Sequence, residues 1–223
     1  MQQTTIRLWK NKSAVVIGRF QSIRNEVNQA ICRQKSVQIV RRFTGGGAVY
    51  QDLGNINISI CVGAEYPLLK GLNITDSFRI LTSGVREGLR TMGFETVFTP
   101  PSDILLKGKK ISGNSQSRKR NVIFYHGTLL VSTNLELLRN VLNASMRKIS
   151  TNAVESRKMP VTNLQDETNC KIDLEEVRNL IKKGFEKIFN VYIAKGQLSS
   201  QEEERAQMLL AEKYSKEEWN LSL

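Results

Sequence analysis

Hydrophobic and polar residues along this chain form two kinds of pattern, one typical of strands and one typical of helices. Short segments in which apolar residues alternate with polar ones, or run briefly between turn residues, predict β-strands. These segments are Ile6–Trp9, Ala14–Ile17, Val37–Phe43, Asn55–Val62, Glu95–Phe98, Asp103–Leu106, Lys110–Ser112 and Val122–Val131. Strands and helices do not alternate regularly. The order therefore predicts an α+β fold, with a mixed or antiparallel sheet and packed helices, rather than a repeated βαβ array.

Helices are predicted where apolar residues recur every three or four positions behind a capping residue. Thr75 is the predicted N-cap of the longest helix. Asp173 with Glu176, and Ser199 with Glu202, have the three-residue spacing of a capping box. The predicted helices are Asn25–Ile31, Thr75–Met92, Leu135–Leu142, one that begins at Asp173, and one from Ser199 through Ala211.

Cysteine and histidine usage argues against a disulfide framework and against a zinc site. Cys32, Cys61 and Cys170 are odd in number and lack C-x-x-C spacing, and His126 is the only histidine. A reduced, cytoplasmic setting fits this usage. No apolar run is long enough to cross a bilayer, and the first residues do not resemble a signal peptide, so no membrane association is expected.

The chain is basic, with 33 Lys and Arg against 21 Asp and Glu and a formal net charge of +12. Two dense clusters, Lys107–Arg120 and Arg147–Lys158, hold much of the excess. The second lies within Asn143–Pro160, which is polar and has no helical or strand period. Such a balance attracts nucleic acid, nucleotide phosphates or an acidic protein. Lysines that are simply solvated surface are the alternative.

The segment Arg41–Tyr50 combines two arginines with the consecutive glycines Gly45, Gly46 and Gly47. Glycine lacks Cβ, so a ligand can lie directly against the backbone amides. Arginine supplies charged, forked donors that match phosphate or carboxylate. The segment fits neither the P-loop nor the G-x-G-x-x-G pattern. We therefore predict an anion-binding loop of another design, with a β-turn bearing two solvated arginines as the alternative.

The segment Ser102–Gly113 predicts a tight hairpin that carries Lys110. If Ile111 faces the core, Lys110 projects from the other face of its strand, where its ammonium can neutralise a phosphoryl or carboxylate oxygen. Asp103 is a candidate magnesium ligand, because Mg²⁺ usually takes one or two carboxylates plus substrate oxygens. The alternatives are a solvated lysine and, for His126 in its strand, a structural hydrogen bond.

Taken in order, these motifs resemble the lipoate–protein ligases of the biotin/lipoate ligase family, and the resemblance covers nearly the whole chain. The flanking matches are Val16–Gln21, Val161–Leu164 and Lys213–Asn220. The central matches are Arg41-Arg42-x-Thr44-Gly45-Gly46-Gly47-Ala48-Val49-Tyr50-x-Asp52-x-Gly54-Asn55-x-Asn57, Asp103-Ile104, Gly108-x-Lys110-Ile111-Ser112-Gly113 and His126-Gly127-Thr128-Leu129-Leu130.

The resemblance implies a single α+β catalytic domain over residues 1–223, similar to class II aminoacyl-tRNA synthetases and without the C-terminal accessory domain of longer ligases. It implies that MgATP activates lipoate to lipoyl-AMP. The lipoyl group would then pass to a lysine of an apo-lipoyl domain, in a 2-oxoacid dehydrogenase acyltransferase subunit or a glycine-cleavage carrier protein. A separate small accessory protein is the implied partner. Acceptors in this family are generally acidic, which would explain the net charge without nucleic acid.

By the same resemblance, Lys110 is the catalytic lysine that contacts the carboxyl oxygen and the α-phosphate, and Asp103 lies next to the metal. The stretch Asn143–Pro160 corresponds to the segment that folds over the adenylate. The residues implied to bind lipoate or its adenylate are Arg41, Arg42, Thr44, Gly45, Gly46, Gly47, Ala48, Tyr50, Asn55, Asn57, Ser112, Gly113, His126, Gly127 and Thr128.

The chain departs from the family pattern at three places. Gln51 stands where relatives usually have histidine, so we expect a hydrogen-bonding role there rather than a titrating one. The arginine usual beyond the catalytic lysine has no unique counterpart, and Arg118 is the nearest. An extra strand and helix, which relatives carry before the segment matching Ile6–Gly18, are missing, so the sheet edge is expected to be exposed or the sequence shortened.

Octanoyl or lipoyl transferases of the same fold are the nearest alternative, and they use a cysteine nucleophile and no ATP. Pro100–Asp103 occupies the region of that cysteine without a thiol. Cys32 and Cys61 are expected in the core, which leaves Cys170 as the reactive candidate. Biotin ligases use a Gly-Arg-Gly-Arg-x-Gly loop that is absent. A basic nucleic-acid-binding module would leave the glycine and lysine motifs unexplained.

Overall fold

The computed structural model describes residues 4–142, 154–168 and 170–222. A 3₁₀ turn spans Gln165–Glu167, and a π-helical turn spans Leu210–Tyr214. In chain order the strands and helices are β1 (Thr5–Trp9), β2 (Ser13–Ile17), α1 (Ile23–Glu26), α2 (Gln29–Gln34), β3 (Gln38–Arg41), β4 (Val49–Asp52), β5 (Asn55–Gly63), α3 (Ile74–Arg90), β6 (Thr96–Thr99), β7 (Asp103–Leu106), β8 (Lys109–Lys119), β9 (Val122–Leu130), α4 (Leu135–Val141), α5 (Leu174–Phe189), α6 (Ser200–Leu209) and α7 (Glu217–Asn220).

The described residues form two compact units. The first is drawn from Met1–Lys12, Gln51–Leu135 and Lys158–Tyr192, and the second from Ser13–Tyr50, Glu136–Arg157 and Ile193–Leu223. The single catalytic domain expected over residues 1–223 stays a prediction. Within the described ranges, no helix combines the length and hydrophobicity that a membrane span requires.

The first unit is built on a six-stranded sheet with the order β1-β5-β9-β8-β7-β6, in which neighbouring strands are antiparallel. Ile56, Ile58 and Ile60 of β5 are almost fully buried on one face. Helix α3 covers this face, where the Phe78 ring packs on Tyr125 with the centroids 6.2 Å apart. Because strand residues alternate between faces, the residues between the isoleucines lie on the opposite face. The predicted α+β class with an antiparallel sheet is confirmed.

Helices α3 and α5 of this unit lie against each other at close range. A Cβ atom at Gly84 would stand 2.3 Å from the Phe185 ring, and one at Gly184 would stand 2.1 Å from the Gly84 carbonyl oxygen. Only glycine permits such an approach of the two backbones. Fully buried apolar side chains fill the space around this contact: Leu81, Val85, Leu89, Val177, Ile181 and Phe185.

The second unit contains a three-stranded sheet with the order β3-β2-β4, in which β2 and β3 run parallel. The unit also holds α1, α2, α6 and α7. The last helix is tied to the sheet, because the Trp219 Nε1–H group donates to the Arg41 carbonyl oxygen at 2.8 Å. The glycine-rich segment therefore begins at the end of β3, where a C-terminal residue fixes the backbone.

The predicted helix Asn25–Ile31 is wrong as a single element. Val27 has extended backbone angles, φ −130° and ψ 128°, so α1 ends there. Asn28 then caps α2 by accepting a hydrogen bond from the Ile31 N–H group. Asparagine competes with the helix for its own backbone hydrogen bonds, and this competition divides the segment.

Two further predictions are corrected in detail. Asn73, not Thr75, caps α3, and its Oδ1 accepts from the Asp76 N–H group at 2.9 Å. Strand β8 extends to Lys119, well past the predicted end, because its polar residues pair with β9 rather than form a loop. The capping box of Ser199 is confirmed.

Candidate functional site

A row of directly paired residues crosses the whole sheet of the first unit on its polar face. Trp9, Asn57, Thr128, Gly113, Asp103 and Thr99 are successive cross-strand partners. Cross-strand partners share a face, so the predicted site residues Asn57, Thr128, Gly113 and Asp103 are brought together by strand register alone. The sheet thus presents these residues opposite its helix-covered side.

A β-bulge brings Lys110 onto the same face. Register passes from Ile104 opposite Ser112 to Leu105 opposite Lys110, so Ile111 is the extra residue in β8. A bulge of one residue reverses the alternation beyond it and re-aims the next side chain. The Lys110 Nζ atom consequently lies 2.8 Å from Asp103 Oδ1, with the aspartate almost fully buried and the lysine side chain about a quarter exposed.

A second segment holds the backbone of Lys110 in this position. The Lys110 N–H group donates to the Pro160 carbonyl oxygen at 2.8 Å, and the Thr162 N–H group donates to the Lys110 carbonyl oxygen at 3.0 Å. Thr162 Oγ1 in turn donates to Glu167 Oε1 at 2.9 Å, and Glu167 is ion-paired with Lys109 at 3.2 Å. Hydrogen bonds with Pro160 and Thr162 therefore fix the backbone on one side of the bulge.

Gly113 leaves the space that the Lys110 side chain occupies. A Cβ atom at position 113 would stand 2.9 Å from Lys110 Cε and 3.0 Å from Lys110 Nζ. Carbon atoms in ordinary contact stay about 3.5–4.0 Å apart. Any side chain at 113 would thus displace the ammonium, and this steric limit explains why the motif has glycine at this position.

Four polar side chains form a chain of hydrogen bonds beside this row. Asn11 Nδ2 donates to Gln51 Oε1 at 2.6 Å, Gln51 Nε2 donates to Thr128 Oγ1 at 2.8 Å, and Thr128 Oγ1 donates to Asn57 Oδ1 at 2.9 Å. Gln51 thus has hydrogen-bonding partners on both sides, as expected of a residue that replaces histidine. Asn55 Oδ1 accepts from the Asp52 N–H group at 2.7 Å and fixes the turn between β4 and β5.

Two of the predicted binding residues have their side-chain positions on the helix-covered face. Ser112 pairs with Leu129, and Gly127 pairs with Asn114. A Cβ atom at Gly127 would stand 1.9 Å from Asn114 Oδ1, so this glycine makes room for the asparagine. Asn114 Oδ1 accepts from the Tyr125 hydroxyl at 2.5 Å, and burial raises the pKa of that tyrosine. The binding roles of Ser112 and Gly127 stay predictions.

His126 is half-buried on the polar face and pairs with Ser59 and Ser115 across the sheet. Its ring centroid lies 5.5 Å from that of Phe124. It lies two positions before Thr128, so both side chains point to the same side of β9. The predicted contact of His126 with a ligand stays a prediction.

In the second unit, Arg42 lies inside the glycine-rich loop rather than in solvent. Its guanidinium donates to the carbonyl oxygens of Gly45 at 2.8 Å, Gly47 at 2.8 Å and Val16 at 2.9 Å. Burial lowers the pKa of Arg42 to about 10, so the group remains charged at neutral pH. Gly46 has φ +91°, which favours glycine, and its carbonyl oxygen would lie 2.1 Å from a Cβ atom at Gly18. Arg42 therefore shapes the loop from within.

Arg41 is an internal tether. The side chain is 1% exposed, and it donates to the carbonyl oxygens of Gly18, Gln21, Trp219 and Ser222. These acceptors use its donors, and they join the residues that follow β2 to the C-terminal residues of the second unit. The sequence grouped Arg41 with Arg42 as a binding residue, and the ligand contact of Arg41 stays a prediction. Arg118 is similarly committed, because it donates to the carbonyl oxygens of Leu72 and Asn73 ahead of α3.

Ser156 and Gln21 are residues of the loop region that sequence reasoning missed. Ser156 Oγ accepts from the Ala48 N–H group at 2.9 Å and from Gln21 Nε2 at 3.0 Å, and Gln21 Oε1 accepts from the Gly18 N–H group at 3.0 Å. Gln21 ends the matched segment Val16–Gln21, which was a usable signal. Ser156 lies in a stretch without periodicity and gave none.

Thr44 and Tyr50 are buried at the two ends of the loop. The Arg19 N–H group donates to the Thr44 carbonyl oxygen at 2.9 Å, and the Tyr50 hydroxyl lies 3.4 Å from Ser13 Oγ. Most of the segment predicted to fold over the adenylate, residues 143–153 of Asn143–Pro160, lies outside the described residues.

None of the three cysteines lies in the row that carries Asn57. Cys32 is buried in α2, Cys61 is partly buried in β5, and Cys170 is exposed between the 3₁₀ turn and α5. Cys61 stands four residues along β5 from Asn57, roughly 13 Å by strand rise. The described residues also contain no group of three or more His, Cys, Asp and Glu side chains that could hold a metal ion.

The sequence matches the lipoyl protein ligase A/B catalytic domain over residues 1–186. It is 31% identical over 228 residues to lipoate-protein ligase A subunit 1 of Thermoplasma acidophilum, covering 98% of this chain and 84% of that protein. It is also 26% identical over 243 residues to the octanoyltransferase LipM of Halalkalibacterium halodurans, covering 97% of this chain and 86% of that protein.

Solved structures show the same fold. A putative lipoate protein ligase from T. acidophilum with bound lipoic acid has a TM-score of 0.85 at 28% identity, over 100% of this chain and 87% of that chain. A bi-partite lipoate protein ligase from T. acidophilum, described with its E2 lipoyl domain, has a TM-score of 0.85 at 28% identity, over 100% and 85%. A lipoate-protein ligase A bound with ATP has a TM-score of 0.84 at 28% identity, over 100% and 87%. A match of this extent, on this fold, shows that the chain belongs to the lipoyl protein ligase A/B catalytic domain family.

Proposed function

We propose that this chain is an ATP-dependent lipoate–protein ligase. It activates lipoate with MgATP to lipoyl-AMP, releases pyrophosphate, and transfers the lipoyl group to a lysine of an apo-lipoyl domain. The observation that carries the proposal is the Lys110 ammonium, held 2.8 Å from Asp103 on the polar face of the sheet, in a row without a thiol. This arrangement suits stabilisation of an adenylate rather than formation of an acyl-cysteine.

The first reaction brings two anions together. A carboxylate oxygen attacks the α-phosphorus, the new P–O bond forms, and pyrophosphate leaves with the electrons of the bond that breaks. A preorganised cation near the developing charge lowers this barrier, and the loss of such a donor typically costs about 10²–10³ in rate. Lys110 supplies the cation, while Asp103 holds it in position. In the second reaction the acceptor amine attacks the acyl carbon, and AMP leaves.

Magnesium enters this scheme as part of MgATP. Asp103 offers one carboxylate, which already accepts the Lys110 ammonium, and the described residues hold no cluster of three metal-binding side chains. Such a donor set fits an ion that keeps phosphate oxygens and water among its ligands. It does not fit a metal centre that the described residues form by themselves. We therefore propose that Asp103 supplies one carboxylate ligand to the magnesium ion and that ATP and water supply the others.

The relatives support the remaining parts of the proposal. The T. acidophilum relative is a ligase subunit, one similar structure is described with its E2 lipoyl domain, and another binds ATP. We propose a separate small accessory protein and, as acceptors, lipoyl domains of 2-oxoacid dehydrogenase acyltransferases or the glycine-cleavage carrier protein. The net charge of +12 would favour association with an acidic acceptor.

An octanoyltransferase is the second candidate, because LipM of H. halodurans matches most of the chain. That reaction needs no ATP. The positions of two of the three cysteines argue against it, since Cys32 is buried and Cys61 is roughly 13 Å along its strand from Asn57. Cys170 is exposed and remains the thiol to test.

One experiment separates the two reactions. The purified chain is incubated with an apo-lipoyl domain and either lipoate with MgATP or an octanoyl thioester without ATP, with and without the accessory protein, and the acceptor mass is measured. We expect modification only with lipoate and MgATP, and we expect it to survive Cys61→Ser and Cys170→Ser. Lys110→Ala should slow it about 10²–10³-fold, whereas Lys119→Ala, which changes an exposed lysine on the same strand, should not. Thioester-dependent modification that Cys170→Ser removes would establish the transferase instead.

A further inference from the structure

The hydrogen bonds that link Asn11, Gln51, Thr128 and Asn57 all run in one direction. Because Asn11 Nδ2 donates to Gln51 Oε1, the other end of the Gln51 amide is its NH₂ group, which donates to Thr128 Oγ1. A lone pair of the Thr128 hydroxyl oxygen accepts this hydrogen bond, and the hydroxyl proton points to Asn57 Oδ1. Each amide or hydroxyl therefore sets the orientation of the next.

The last group in this series of hydrogen bonds, the Asn57 side-chain amide, ends in a buried donor. Since Asn57 Oδ1 accepts from Thr128, Nδ2 is the end of the amide that this series of hydrogen bonds leaves without an acceptor, and Asn57 is 1% exposed. Among the described residues, Asn57 Nδ2 has no hydrogen-bond partner, and the same holds for Asn55 Nδ2 two residues earlier on the same face of β5. Buried amide donors are almost always paired in folded proteins. Two unpaired donors side by side indicate a place where a ligand supplies the acceptor.

We propose that Asn11 and Gln51 are positioning residues, which orient Asn57 through Thr128 so that Asn57 Nδ2 donates to an oxygen of the activated acid. This inference rests on the proposed function for the identity of that acid. Asn57 and Gly113 are two strands apart in one cross-strand row, roughly 10 Å by strand spacing, and Lys110 lies against Gly113. An acyl–phosphate junction carries acceptor oxygens on both the carbonyl and the phosphoryl group. One end can therefore meet Lys110 while the other meets Asn57.

The decisive change is Gln51→Glu, which has nearly the same shape but two acceptors. A carboxylate at 51 accepts the Thr128 proton, so Thr128 can only accept from Asn57. The Asn57 amide then turns its Oδ1 outward, and an acceptor faces the oxygen of the substrate. We expect binding of octanoate and of lipoate, measured by calorimetry without ATP, to weaken about 10- to 100-fold. In the ligase assay we expect KM for the acid to rise more than kcat falls.

Two further variants separate this effect from charge and from folding. Gln116→Glu makes the same substitution on the helix-covered face of β8, where Gln116 Nε2 donates to Ser77 Oγ and the Ile74 carbonyl oxygen, and it should leave acid binding unchanged. Asn11→Ala adds no charge but frees the Gln51 amide to rotate, and it should weaken acid binding by a smaller factor. The Asn57 side-chain NH₂ resonances should shift when octanoate is added to the unmodified chain.

Unchanged acid binding by a folded Gln51→Glu protein would overturn the inference, as would Asn57 NH₂ resonances that octanoate does not move. A purely structural network would lower the melting temperature of both Asn11→Ala and Gln51→Glu without changing KM. If the chain binds the acids but forms no adenylate under any condition, the proposed function is wrong. The binding measurements still test the orientation of Asn57, because they do not require ATP.

Discussion

Gly113 gives the sharpest test of where the Lys110 ammonium must stand. The substitution Gly113→Ala adds one methyl group at a position where it would lie 2.9 Å from Lys110 Cε and 3.0 Å from Lys110 Nζ. The backbone at 113 does not need a positive φ, so the methyl group acts through space and not through backbone strain. The lysine side chain is the part that must move.

The size of the effect follows from that distance. Ordinary carbon contacts of about 3.5–4.0 Å require Cε to retreat by roughly 0.6–1.1 Å. A misplacement of about 1 Å in a reacting site can cost about 10²-fold in rate, which corresponds to about 2.7 kcal/mol of transition-state stabilisation. Stability should change by about 1 kcal/mol or less, because the methyl group displaces the Lys110 side chain but leaves the buried Asp103 carboxylate with a cationic partner.

Pyrophosphate release at saturating lipoate and MgATP measures the first step, and transfer from preformed lipoyl-AMP measures the second. Gly196→Ala is the matched control, because a Cβ atom there meets nothing within 4 Å. We expect Gly113→Ala to lose about 10²-fold in the first step with a nearly unchanged melting temperature. A Gly113→Ala enzyme that keeps its rate, alongside an inactive Lys110→Ala enzyme, would refute the idea that the ammonium must stand at this place.

Three other outcomes are expected. Lys110→Ala should stay folded and lose about 10²–10³ in adenylate formation, and near-normal pyrophosphate release would reject its catalytic role. Arg41→Lys should lower the free energy of unfolding in urea by about 3 kcal/mol, because one ammonium cannot serve the separated carbonyl groups that the guanidinium binds. The exposed Arg33→Lys is its control, and equal stability of the two proteins would contradict the tether. The pKa of Glu87 is lowered to about 2, chiefly by the hydrogen bond from Arg90. Its pairs thus stabilise the fold above pH about 4.5 and lose this effect as pH falls towards 2. Glu87→Gln should therefore flatten the acid limb of stability in that window by about 1 kcal/mol or less, as acid titration of unfolding would show.

Much of the fold was predictable from local patterns. The alternation of Ile56, Ile58 and Ile60 marked β5, and the spacing of Phe78, Leu81, Val85 and Leu89 marked α3. Such patterns are visible because a strand repeats every two residues and a helix every 3.6. The errors arose where a side chain competes with the backbone, as Asn28 does between α1 and α2.

The motifs located the candidate site but left the roles of its residues open. Asp103, Gly113, Thr128 and Asn57 were identified from the sequence, and strand register places them in one row. The bulge at Ile111 was not visible in the sequence, because it depends on how β8 pairs with β7. The same applies to Ser156, whose contacts with Ala48 and Gln21 have no local pattern.

The order of residues was enough to assign the α+β class, the family and the glycine and lysine motifs, because these depend on short-range periodicity and on spacing along the chain. Folding was needed to distinguish the two adjacent arginines. Arg42 shapes its own loop, whereas the N–H group of Arg41 meets Asn220, 179 positions later, and its side chain binds carbonyl groups from both ends of the second unit. Hydrogen-bond partners of this kind are fixed by three-dimensional packing. Two neighbouring arginines can therefore have different structural roles.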